Sequence, residues 1–289
     1  MYFIVNHFLI YYSYLILNLQ YVQQMSEKKA KIYQNEQNSE QVSSQTIDPD
    51  EIAKFSKMAS QWWDEEGVFK PLHKFNPTRV KFIKDMAIKH FSLADNTNNN
   101  AAPLSGISIL DVGCGGGLLA EPLARLGANV TAIDASYKNI QIATLHAKES
   151  GLDINYRNIS AEELLLENIK FDIVLNMEVI EHVADPAAFI ATLAGLINLR
   201  GLIFNATLNK TIKAYLFAII AAEYVLSWLP RGTHDFNKFI KPSYLHKFLE
   251  DNGLKVKELV GVAYNPLNGK WSLSPDVSIN YIMVGEKVI

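Results

Sequence analysis

One cysteine, Cys114, in 289 residues leaves no partner for an internal disulfide, which excludes a disulfide-stapled secreted scaffold and suits a reducing cytosol. Dense basic clusters are lacking as well. Lys and Arg number 27 against 30 Asp and Glu, for a net charge of −3. No stretch could track a phosphate backbone, which argues against a nucleic-acid footprint. From Met1 to Ser26 there is no Asp, Glu, Lys or Arg. A secretory signal needs a basic n-region and a small-residue cleavage site, and neither is visible. Residues 2–22 are rich in Ile, Leu, Tyr and Phe but are broken by Asn6, His7, Ser13, Asn18 and Gln20. That pattern leaves three readings open: translation starting at Met25, a weak membrane anchor, or an ordinary segment. Internal repeats are also missing.

What is present is a large apolar fraction, 49%, enough for a sizeable core. Residues 25–50 are polar, with Gln34, Asn35, Gln37, Asn38 and Ser39 among them, and are predicted to be disordered. The chain therefore divides into residues 1–50, uncharged segment plus polar linker, and a single domain over 51–289. Order is expected from Ile52, where Phe55, Met58, Ala59 and Trp62 fall at helical spacing. A second polar break at residues 95–100 reads as a surface loop. From residue 108 strands and helices alternate: strands at 108–112, 130–133, 171–177 and 202–206, and helices at 118–126, 139–150 and 186–196. Such alternation predicts an α/β, doubly wound, Rossmann-like sheet that is mostly parallel. Residues 256–262 and 278–284 have no long helix between them and are expected to pair antiparallel at a sheet edge.

The strongest chemical signal is Ile109-Leu-Asp-Val-Gly-Cys-Gly-Gly-Gly117, a strand running into a glycine turn. Glycines permit close backbone approach to a ligand, and ligands of open α/β sheets sit at the carboxyl ends of strands. A dinucleotide fingerprint requires G-x-G-x-x-G/A, and Leu118 occupies its third position. A nucleoside–amino-acid cofactor fits better. Asp134 closes the second strand, where a carboxylate can accept both hydroxyls of a ribose; dinucleotide folds share that position, so Asp134 alone discriminates nothing between cofactors, and it reads alternatively as a strand-end helix cap.

The next constellation, Asn176-Met-Glu-Val-Ile-Glu-His-Val183, follows the strand at 171–177. Were the chain helical there, Glu178, Glu181 and His182 would share one face. Two carboxylates and an imidazole can bind a divalent ion, serve as a general base, or form a solvated acidic turn. Oxygen ligands suit Mg²⁺, whereas His is more typical of transition metals.

Taken together, Gln61-Trp-Trp-Asp, Phe69-Lys-Pro-Leu-His, Asn76-Pro-Thr-Arg, the glycine loop, Glu178-Val-Ile-Glu-His, Gly232-Thr-His-Asp and Lys238-Phe-Ile-Lys-Pro resemble the ubiquinone biosynthesis O-methyltransferases, over residues 55–286. The resemblance implies a class I fold and S-adenosylmethionine as cofactor. It implies methylation of two ring hydroxyls, on a polyprenyl hydroxyphenol and on 3-demethylubiquinol. By the same resemblance Arg79, Gly113, Asp134 and Met177 would contact the cofactor, and Glu178, Glu181 and His182 a metal ion such as Mg²⁺. Arg79 offers a planar fork for the methionine carboxylate. The uncharged N-terminus and the Asn-rich insertion depart from the family's bacterial pattern without touching a motif residue.

The apolar run at residues 214–229 is too short to span a bilayer. It reads either as a core helix or as an interfacial segment, and Tyr215, Tyr224 and Trp228 with Lys210, Lys213 and Arg231 favour the second. The expected setting is cytoplasmic, with peripheral contact to the inner membrane through residues 210–231. Expected partners are a polyprenylated quinone precursor and other enzymes of ubiquinone biosynthesis. For the chemistry two routes stand: a metal held by Glu178, Glu181 and His182, or His182 or His234 as a metal-free base.

Overall fold

The computed structural model describes residues 46–93, 102–216, 235–265 and 269–289. The N-terminal stretch, the Asn-rich insertion and the apolar run from residue 217 onward lie outside the described residues, as does His234.

Asp48 caps the first described helix. Its carboxylate accepts from the backbone N–H groups of Asp50 and Glu51, capping helix α1 (Pro49–Met58), so order precedes the expected Ile52. A 3₁₀ turn (Ala59–Gln61) leads to the long helix α2 (Lys70–Phe91). Strands β1 (Ser108–Val112), β2 (Asn129–Ile133), β3 (Asn155–Arg157), β4 (Phe171–Met177) and β5 (Ile197–Leu208) then alternate with helices α3 (Ala120–Arg125), α4 (Tyr137–Glu149), α5 (Ala161–Leu165) and α6 (Pro186–Gly195). Helix α7 (Pro242–Asp251) precedes β6 (Leu254–Asn265), β7 (Lys270–Ser274) and β8 (Asn280–Lys287).

The eight strands form one sheet in the order β3-β2-β1-β4-β5-β8-β6-β7. Its first five members are parallel, while β8 pairs antiparallel with both β5 and β6, and β7 with β6. This is the doubly wound, mostly parallel fold with an antiparallel C-terminal portion. Alternation along the strands separates two cores. Ile109, Ile173, Leu175 and Phe204 face Phe82, Ile83 and Leu123 on one side. On the other, Leu110, Val174 and Ile203 share a cluster with Phe189, Leu193, Leu245 and Leu249. The order reverses between β1 and β4, which opens a crevice at their carboxyl ends. Among the described residues no helix is long and apolar enough to cross a membrane.

Candidate active site

The crevice is a cavity of about 890 Å³, and Arg79, Gly113, Asp134, Met177, Glu178, Glu181 and His182 all line it. The glycine loop is held to its shape by contacts on both sides. Gly113 has φ +66°, and a Cβ there would lie 2.6 Å from Val179 Cγ2. Gly115 (φ +54°) and Gly116 abut the Trp62 ring. Trp62 stacks on Phe69 at 3.8 Å and donates to Asn139 Oδ1 at 3.0 Å; Trp63 donates to the Gly116 carbonyl at 2.9 Å. Leu118, the residue that breaks a dinucleotide fingerprint, is buried in the same cluster as Trp62 and Phe69.

Asp134, just past β2, accepts from the N–H groups of Gly115 (2.9 Å) and Ser136 (2.8 Å) and from Asn139 Nδ2 (3.2 Å). A carboxylate has about four acceptor sites. Three are filled, so one further donor is accommodated directly, where two ribose hydroxyls were expected. Burial raises its pKa against those hydrogen bonds. Asp111, on β1, is buried with Oδ2 unpartnered. Burial, reinforced by the Asp134 charge and opposed by Arg79, pushes it up to about 7.

Arg79 comes from the buried face of α2, its guanidinium 3.9 Å above the Phe75 ring. The fork expected to be open is partly engaged: Nη2 donates to Glu178 Oε1, while Nε has no partner. Burial lowers its pKa against the opposing pull of Glu178, Glu181 and Asp111.

The expectation that Glu178, Glu181 and His182 share a helical face is corrected. Glu178 adopts a left-handed backbone, φ 60°, with its N–H bound to the Ala206 carbonyl of β5 at 2.9 Å. Only Ile180–His182 forms a 3₁₀ turn. The three side chains consequently take different partners. Glu178 pairs with Arg79, Glu181 Oε2 accepts from Thr207 at 2.8 Å, and His182 Nδ1 meets Glu51 Oε2 at 3.1 Å. Glu181 Oε1 is buried without a partner, and burial beside Glu178 raises its pKa. Among the described residues no three His, Cys, Asp or Glu side chains converge as a metal site. As arranged, with each side chain engaged by a different partner, the three do not fit a metal ion.

Several lining groups carried no sequence signal. Glu51, on α1, binds His182 and Lys238, and the His182 hydrogen bond holds its carboxyl down at about 2 despite burial. Lys238 also reaches Asp48 at 2.9 Å. Buried Glu162 accepts from the Thr46 hydroxyl. The Lys238, Trp62 and Phe69 motifs were visible in the sequence; the contacts of Lys238 with Asp48 and Glu51 were not.

Comparison with known proteins gives a consistent answer. A family model described as a methyltransferase domain matches residues 87–259. The ubiquinone biosynthesis O-methyltransferase of Parvibaculum lavamentivorans is 51% identical over 84% of this chain and 94% of its own. That of Caulobacter vibrioides is 52% identical over 84% and 95%. Among solved structures, the magnesium protoporphyrin IX methyltransferase of Synechocystis PCC 6803 aligns at 20% identity with a TM-score of 0.50. That alignment covers 72% of this chain and 82% of the other, a likeness of fold. The chain belongs to the ubiquinone biosynthesis O-methyltransferase family.

Proposed function

We propose that this chain transfers a methyl group from S-adenosylmethionine to ring hydroxyls of polyprenylated phenol and catechol precursors of ubiquinone. The observation that carries the reading is the convergence of Arg79, Gly113, Asp134 and Met177 on one cavity, in a chain 51% identical to such a methyltransferase. The residues fit the cofactor. Asp134 keeps an acceptor site for a ribose hydroxyl, Gly113 presents bare backbone, and the Arg79 guanidinium lines the cavity with positive charge for the carboxylate. When bound, the cofactor supplies an electrophilic methyl carbon on a sulfonium sulfur.

A phenol ionises near pH 10, so the acceptor must lose its proton on the enzyme. His182 is the base in this proposal. Glu51 accepts a hydrogen bond at Nδ1, which fixes the tautomer and leaves the Nε2 lone pair for the phenol proton. Phe55 meets the imidazole edge-on at 5.1 Å and limits its rotation. Glu51→Gln is therefore expected to lower kcat about 10- to 100-fold, within the range of general-base contributions. S-adenosylhomocysteine affinity should stay within about twofold, since Glu51 touches no proposed cofactor residue. A variant with unchanged kcat would remove the Glu51 charge from the chemistry.

The function itself is tested by labelled methyl transfer to a short-chain polyprenyl catechol and to unprenylated catechol. Strong preference for the prenylated acceptor supports the reading; equal use removes the lipid specificity. Transfer to neither, with cofactor bound, overturns it.

We also propose peripheral contact with the inner membrane from the cytoplasmic side. The described part of residues 210–231 supports it: Ile212, Leu216 and Tyr215 are 78%, 49% and 39% exposed, beside Lys210 and Lys213. Ile212→Glu paired with Leu216→Glu is expected to reduce cosedimentation with anionic vesicles severalfold, and undiminished binding would remove this surface.

A further inference from the structure

The cavity reaches much farther than the cofactor residues. Asp134 follows β2, whereas Tyr264 lies on β6, five places along the sheet, and Trp271 on β7, one place farther. At about 4.8 Å per strand the distance to β6 is roughly 24 Å. Between them stands Arg79, whose guanidinium covers Phe75 at 3.9 Å. Phe75 in turn stacks with Trp271, centroids 5.0 Å apart and planes 27° from parallel, and Trp271 meets Tyr264 at 5.1 Å. The hairpin is tied to α2 because Thr78 Oγ1 donates to the Trp271 carbonyl at 3.1 Å. Trp271 is only partly buried although it packs against the core, so part of its indole remains available to the cavity.

A ligand anchored by its ribose at Asp134 and its carboxylate at Arg79 ends where this aromatic wall begins. We propose that Trp271, braced by Phe75 and Tyr264, is the platform on which the acceptor's aromatic ring is held for methylation, a positioning and specificity determinant for the second substrate. An electron-rich phenol or catechol ring suits offset stacking on an indole. The hairpin position places that platform in the same cavity but outside the residues proposed to hold the cofactor, so it bears on the acceptor ring. This inference rests on the proposed O-methyltransferase function.

The test compares Trp271→Leu, which keeps apolar bulk but has no π face, with Trp271→Phe, which retains one. For the polyprenyl catechol, Trp271→Leu is expected to raise KM about tenfold, and Trp271→Phe to recover most of that loss. S-adenosylhomocysteine affinity, read by calorimetry, should stay within about twofold in both. An unchanged KM in Trp271→Leu overturns the platform. So does failure of Phe to outperform Leu, or a loss of cofactor affinity matching the rise in KM, since each marks Trp271 as hairpin support. If the wild type transfers nothing to the catechol, it is the function that falls. Calorimetric titration of catechol into wild type and Trp271→Leu still decides the platform in that case: equal affinities overturn it and weaker binding to the variant sustains it.

Discussion

Asp134→Ala is expected to weaken S-adenosylhomocysteine binding about 100-fold while the protein still folds. Hydrogen bonds to charged groups contribute about 1.5–3 kcal/mol each, and one such bond to a ribose hydroxyl accounts for roughly 10- to 100-fold. A second contribution is indirect. The carboxylate also holds the Gly115 N–H at 2.9 Å and Asn139 Nδ2 at 3.2 Å, and Asn139 accepts from Trp62. Removing it releases the glycine loop, so the cofactor meets a less ordered backbone. Folding should survive because burial already disfavours the charge. Asp134→Asn keeps an acceptor oxygen without the charge and should fall between wild type and alanine. Calorimetry reads all three. Affinity within threefold of wild type in the alanine variant would mean the ribose is held elsewhere.

Where local pattern decided the outcome, the sequence was a good guide. Residues 171–177 centre on the apolar Ile173-Val174-Leu175, and β4 spans Phe171–Met177. The glycine loop was legible for a related reason: its positive φ angles admit little but glycine. Local pattern failed at Glu178. The Glu178, Glu181 and His182 spacing suits a helix, but the Glu178 N–H is claimed by Ala206 of the neighbouring strand, and the backbone turns left-handed instead. That decision belongs to β5, whose Ala206 lies 28 residues along the chain and pairs with Met177 only once the sheet forms. Strand β7 was illegible because Lys270–Ser274 is exposed or half-exposed throughout and owes its conformation to pairing with β6. Likewise, the Glu51–His182 contact joins positions 131 residues apart, and nothing near either residue announces the other. The residues proposed for the cofactor sit on motifs visible in the sequence, and the cavity brings them together. The acceptor end is assembled from α1, α2 and the hairpin, and only folding brings these together.

The second large effect concerns stability. Asp111→Asn is expected to stabilise the ligand-free protein at pH 8 by about 2–4 kcal/mol. The sign follows from the direction of the shift. Burial carries the Asp111 pKa from its ordinary 3.8 up to about 7, so the fold favours the protonated acid. Stability from this group is fully present below the unfolded value and is lost as pH rises through about 7. Between those limits the unfolded chain releases the proton and the native state retains it. The full difference is ~4 kcal/mol by linkage, and the opposing pull of Arg79 is already contained in the value of about 7. Asparagine carries no such titration, and its amide fills nearly the same volume. The gap between variant and wild type should therefore be small near pH 4, widen to pH 7, and then level off. For a domain of this size 2–4 kcal/mol corresponds to roughly 4–16 °C in Tm. Thermal unfolding from pH 4 to pH 8 reads it directly. Parallel profiles would show that Asp111 is ionised in the fold, its charge neutralised by Arg79. A buried, unpartnered carboxylate beside a cavity is a stability loss that a binding site can justify, since a cationic ligand there would favour the ionised form. The stabilised variant is accordingly expected to bind sulfonium cofactor less tightly than wild type, and equal affinity would separate Asp111 from ligand recognition.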